Sequence, residues 1–132
     1  MYDVMLKAII HGINLIKHCL RDVGNSSKRS PRWASVEKHF LVQNPTCSAC
    51  GGKDRLNVHH CIPFHLKPEL ELDTGNLITL CMGEKECHLH LGHGGNFKEY
   101  CSDVKDYAAQ SLSNPDKFEE LVKLAYSNRK AN

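Results

Sequence analysis

Two cysteine pairs constrain this chain more than any other feature. Cys47-Ser48-Ala49-Cys50 offers two thiols from one tight turn followed by Gly51-Gly52, and Cys81 and Cys87 offer two more. The 30 residues between the pairs contain two strand-like runs. Leu56-Asn57-Val58-His59 alternates, and Leu77-Ile78-Thr79-Leu80 is β-branched in its middle. A hairpin of these runs would carry both pairs to one place. Tetrahedral zinc asks for four soft ligands around one point, so this spacing predicts Cys47, Cys50, Cys81 and Cys87 as structural zinc ligands. The second pair, C-x5-C, is looser than the usual C-x2-C. His88, directly after Cys87, is the alternative fourth ligand.

Seven cysteines in 132 residues would also suit a secreted disulfide framework. Residues 1–20 speak against it. Asp3, Lys7, His11, Asn14 and Lys17 interrupt their apolar run, so no signal-peptide h-region or membrane span is expected. A reducing compartment and metal-bound thiols follow, with Cys19, Cys61 and Cys101 left unliganded. The length suits one domain, residues 1–132.

A net charge of +2 does not by itself argue for nucleic acid. The distribution says more: Lys28, Arg29 and Arg32 cluster, and Lys53 and Arg55 stand just ahead of the paired histidines. Local patches of this kind can hold a phosphate backbone. These residues are the candidate nucleic-acid contacts.

Periodicity places the helices. Met5, Ile9, Ile13, Ile16 and Leu20 form one face of an amphipathic helix over 3–21, free to pack on the domain or on a second copy. Gly24 to Ser27 breaks it. Ser30-Pro31 reads as the start of a helix reaching Gln43, with Ser30 as N-cap and Trp33, Val36, Phe40 and Leu41 as its apolar stripe. Trp33 is expected as a core anchor. A helix should open at Cys87 and be cut short by Gly92, Gly94 and Gly95. Two more are expected near 97–111 and 115–127, the second capped by Asn114 with Phe118, Leu121, Val122 and Ala125 inward.

The histidines need their own explanation. His59 and His60 are adjacent at a strand end, so their side chains leave opposite faces. One can bind a cation while the other addresses a water. Phosphodiester hydrolysis uses that division: a cation on the phosphate and a neutral imidazole as general base.

With their companions, these residues resemble the HNH endonucleases. The family pattern runs from a histidine pair and a proline, through an asparagine opening the second strand, to a histidine on the helix. Here those positions are His59, His60 and Pro63, then Asn76 in N-L-I-T-L-C, then His88. The stretch H-C-I-P-F-H-L-K-P-E-L-E-L-D-T-G-N-L-I-T-L-C and the segment C-H-L-H-L-G-H-G-G-N-F look like a branch common in phage and prophage genomes. The resemblance covers residues 47–97, is faint over 30–46 and is absent from the first 25.

It implies an α+β fold: a ββα-metal (HNH) core at 47–97 with a zinc-bound hairpin. Flanking it would be an N-terminal helical extension (1–25) and C-terminal helices (97–127). It implies His60 as general base, Asn76 as the residue holding the His60 loop, and His59 and His88 as ligands of a catalytic divalent ion, Mg²⁺ or another. His93 resembles an extra helix histidine but follows His88 by five residues rather than four. Third ligand, phosphate contact and helix-end residue all stay open for it. His65 and His90 fit no family role, Asp73 and Gly75 should shape the turn before Asn76, and Glu69 and Glu71 read as surface flanking a turn. The expected function is metal-dependent DNA cleavage in the cytoplasm of a bacterial or phage-infected cell. Two alternatives stand beside it. One is a non-catalytic zinc-knuckle module for nucleic acid or protein. The other is a nuclease subunit that cuts only within a larger phage packaging assembly; the N-terminal helix is the expected contact for such a partner or for a homodimer.

Overall fold

A computed structural model describes residues 28–127. The stripe at 3–21 and the last five residues lie outside the described residues. In chain order the elements are helix α1 (Trp33–Gln43), strand β1 (Leu56–His60), strand β2 (Leu77–Cys81), a π turn (His88–Gly92), and helices α2 (Val104–Ser113) and α3 (Phe118–Ser127). Short 3₁₀ turns lie at Pro68–Leu70, Thr74–Asn76 and Pro115–Lys117. The expected α+β class and ββ-helix order are both present.

The strands pair antiparallel with Val58 opposite Thr79, His59 opposite Ile78 and His60 opposite Leu77. All five residues of β2 are buried, because both faces of the hairpin are covered. On one face α1 closes a small cluster of Phe40, Val58 and Leu77, with Trp33, Val36 and Leu41 packed on it. On the other, Ile78 and Leu80 join Leu91, Val104, Ala108, Phe118 and Ala125 in the main core. The π turn and both C-terminal helices therefore rest on the His59 face, and α1 on the His60 face.

Local chemistry accounts for the boundaries. The Ser30 hydroxyl accepts from the Arg32 amide at 3.3 Å, and the helix proper begins at Trp33, three residues beyond the expected Ser30 cap. Asn114 holds the N-cap position before Pro115 but makes no side-chain cap bond. The helix expected from residue 97 begins only at Val104. Gly94, Gly95 and Phe97 have φ of +60°, +91° and +56°, a left-handed run that no right-handed helix contains.

The expected surface position of Glu71 is corrected. Glu71 is only 3% exposed; its carboxylate accepts from the Ser30 amide at 2.9 Å and pairs with Arg29 at 3.3 Å. This contact ties the segment ahead of α1 to the loop between the strands, across 42 residues of sequence.

Candidate functional site

At one end of the hairpin the sulfur atoms of Cys47, Cys50, Cys81 and Cys87 lie within 4.8 Å of one another. Cys50 and Cys81 Sγ are 3.7 Å apart, close to the ~3.8 Å edge of a tetrahedron with zinc–sulfur bonds of about 2.3 Å. Three hydrogen bonds fix the turn, one of them to a sulfur. The Gly52 amide donates to Cys50 Sγ at 3.4 Å, the Ser48 amide to the Thr79 carbonyl at 2.9 Å, and buried Ser111 of α2 donates to the Ala49 carbonyl at 2.9 Å.

Electrostatics asks for a cation at this point. A hydrogen bond from the Cys87 thiol leads the effects that hold Cys47 down to about 4. Burial, with the Cys47 thiolate beside it, pushes Cys50 up to about 11. Cys87 is raised too, first by its bond to Cys47. Four thiolates cannot share this volume unless a dication neutralises them. The donor set fits zinc, and Cys61 and Cys101, though buried, stand outside it.

At the other end, β1 delivers His59 to the π turn. The rings of His59, His88 and His93 form a triangle with centroids 5.1, 4.7 and 4.9 Å apart, and one nitrogen from each lies within 4.8 Å of the others. An α-helix would rotate His93 about 140° away from His88, at about 100° per residue. A π turn closes its hydrogen bond five residues on, which returns His93 to the His88 face. His93 Nδ1 donates to the Glu99 carbonyl at 2.9 Å, leaving Nε2 to the triangle. A ligating histidine is commonly oriented through its second nitrogen in this way.

Two further observations point to an ion here. His59 Nε2 is buried and has no hydrogen-bond partner among the described residues, an orphan that would be costly without a ligand. Two of the imidazoles, His59 and His88, are also held in the neutral form that presents a lone pair. Burial first, then the neighbouring histidines, lowers His59 to about 2, and burial with His93 lowers His88 to about 4. Gly92 makes the close approach possible, since a Cβ there would lie 3.2 Å from His59 Cε1 and 3.3 Å from His88 Cδ2. From behind, the Tyr126 hydroxyl of α3 donates to the Leu91 carbonyl at 2.7 Å and holds the turn in place.

His60 leaves the opposite face of β1. Its ring stacks on Trp33 with centroids 4.5 Å apart, and Nε2 lies 2.9 Å from the Glu71 carbonyl. A carbonyl only accepts, so Nε2 carries the proton and Nδ1 keeps its lone pair. Burial is the main cause that lowers the His60 pKa, with Arg29 adding to it and the Glu71 carbonyl opposing. Asn76 clamps the loop that follows. Its Oδ1 accepts from the Ile62 amide at 2.9 Å, and its Nδ2 donates to the Ile62 carbonyl at 3.0 Å. The turn before it is fastened by Asp73 Oδ1, which accepts from the Gly75 amide at 2.8 Å.

A cleft of about 350 Å³ joins the two faces and is lined by His59, His60, His88, His93, Arg29 and Phe97, among others. Arg29 reaches it over the rings of Trp33 and Phe64, 5.1 and 5.0 Å from their centroids. Lys53 and Arg55 do not. They precede β1, which ends at His60, and Lys53 lines a groove beside Cys50 and Cys81 instead. Arg32 is exposed at the start of α1 and does not line the cleft. His65 does line it, unlike His90, which pairs with Glu86 at 3.7 Å.

Sequence reasoning missed the Glu71 carbonyl, the Trp33 stack, Gly92, Tyr126 and Phe97. Only the glycine carried a local signal, as a small residue in a histidine-bearing turn. Glu71, Trp33 and Tyr126 depend on contacts between distant segments, and Phe97 on the left-handed backbone around it.

Residues 47–94 match the family model described as HNH endonuclease. Neither a search of the curated proteins nor one of the solved structures finds a match. Among the described residues no helix is long and apolar enough to cross a membrane.

Proposed function

Because residues 47–94 carry an HNH endonuclease domain, we propose that this chain is a metal-dependent endonuclease that hydrolyses phosphodiester bonds in DNA, with His60 as general base. The observation that carries this reading is the split of two adjacent histidines. His59 turns an orphaned nitrogen into a three-imidazole cluster. His60, on the other strand face, is held in one tautomer with a free lone pair.

His60 Nδ1 takes the proton of the attacking water, while the Glu71 carbonyl fixes the ring and stabilises the protonated form that follows. Asn76 holds residues 61–62 so that the strand end cannot drift. Arg29, anchored by Glu71 yet half exposed, faces the phosphate backbone. A divalent ion held by His59, His88 and His93 would neutralise charge developing on the phosphate and its leaving oxygen. Three imidazoles without a carboxylate suit zinc, nickel or a similar ion better than Mg²⁺. Cys47, Cys50, Cys81 and Cys87 would hold a separate structural zinc, which would fix the far end of the hairpin.

The test is plasmid nicking by purified protein, scanned over Mg²⁺, Mn²⁺, Ni²⁺ and Zn²⁺. Cleavage should depend on the added ion. His88→Ala should demand more of it, with part of the rate restored at excess metal. Absence of cleavage under every ion would overturn the reading.

A further inference from the structure

Phe97 is hard to explain as a structural residue. It is the one exposed aromatic among the described residues, with 54% of its surface open. Its backbone is left-handed at φ +56°, a conformation that bulky side chains seldom hold without compensation. Folding would favour glycine or asparagine there and a polar side chain. The loop nonetheless holds the position firmly. Asn96 Oδ1 accepts from the amides of Lys98 and Glu99 at 2.8 and 3.2 Å, and the Glu99 carbonyl is tied to His93.

The ring is placed where the chemistry is. It packs against His93 with centroids 5.0 Å apart and edge-on to His88 at 5.9 Å. That contact uses one side of the phenyl ring and leaves the rest toward the cleft, which Phe97 and Lys98 both line. An open aromatic face beside a cation, in the lining of the histidine cleft, is the pairing by which single-stranded nucleic acid is held: the base stacks and the backbone is neutralised.

We propose that Phe97 is a stacking platform for an unpaired nucleobase next to the scissile phosphate. The inference rests on the nuclease reading and adds a substrate class to it: single-stranded or locally unpaired DNA, since a base inside a duplex offers no free face. The competing role is purely local, with the ring shielding the His88 and His93 imidazoles and touching no substrate.

The two separate in a binding measurement. In the His60→Ala background, which spares the strand, fluorescence anisotropy compares a base-bearing single strand with an abasic strand of equal length. The base-bearing strand should bind roughly 5- to 150-fold tighter, the range for one stacked base. Phe97→Leu should erase that preference, and Phe97→Trp should keep it. A preference that survives Phe97→Leu, or disappears in Phe97→Trp, overturns the platform, as does equal weakening on both strands. In each of those cases salt-dependent DNA binding remains, so the nuclease reading stands. Binding to neither strand overturns the platform, and plasmid nicking, which offers duplex DNA, then decides the nuclease reading separately.

Discussion

Gly92→Ala is a one-methyl perturbation whose effects on stability and on function should diverge. The added Cβ would sit 3.2 to 3.3 Å from His59 Cε1, His59 Nδ1 and His88 Cδ2, so both rings must give by a few tenths of an ångström. Alanine gains about 1 kcal/mol over glycine in helical backbone, and mild overpacking costs about 1–3 kcal/mol. The net loss of stability is therefore small, about 0–2 kcal/mol. The metal triangle has less tolerance, because it needs three nitrogens aimed at one point. Disturbing the support of metal ligands typically costs about 10–100-fold in affinity, or about 1.4–2.7 kcal/mol. Calorimetric titration of the second ion, with the cysteine site already filled by zinc, should show that weakening, while the melting temperature moves little. Unchanged second-ion affinity would refute the claim that Gly92 exists to let His59 and His88 close on an ion. A collapsed melting temperature would show instead that its role is packing.

Three more outcomes are expected. Cys47→Ser should lose about one zinc per chain and unfold the hairpin end, since structural zinc contributes folding free energy directly; metal analysis and circular dichroism check it. The pH–rate profile should be flat through neutrality and fall only below pH 6.5, because His60 works deprotonated and burial lowers its pKa. Burial lowers His59 and His88 as well, to about 2 and about 4, so neither should take up a proton near neutrality, and an acid limb centred at or above pH 7 would contradict the lowered His60. Deleting residues 1–25 should lower the melting temperature with zinc content unchanged if the amphipathic stripe packs on the domain. A loss of dimer mass at constant melting temperature would assign the stripe to association.

Much of the site is legible because it follows from period and spacing. Alternation in a strand sends His59 and His60 to opposite faces, and the hairpin registers Leu56 opposite Cys81, which brings the cysteine pairs together. Asn76 is the last residue of the 3₁₀ turn that Asp73 and Gly75 announce. The five-residue step from His88 to His93 was ambiguous because α-helical geometry was the natural assumption, and a single π turn changes the face on which His93 lies. Glu71 misled for another reason. Flanked by Leu70 and Leu72 in a short loop it looks solvated, and only Arg29 and Ser30, some 40 residues earlier, make its burial tolerable. Phe97 likewise reads as the apolar start of a helix until the left-handed backbone at Gly94, Gly95 and Phe97 moves that helix to Val104.

The most direct test of the central claim is His60→Ala in a plasmid-nicking assay, with zinc content, second-ion affinity and DNA binding measured on the same sample. General-base catalysis is worth about 10²–10⁴-fold, so nicking should fall by that factor while the other three quantities hold, since His60 belongs to neither the four-cysteine nor the three-histidine group. Nicking at the wild-type rate would contradict the assignment of His60 and, with it, the proposed division of labour between the two adjacent histidines.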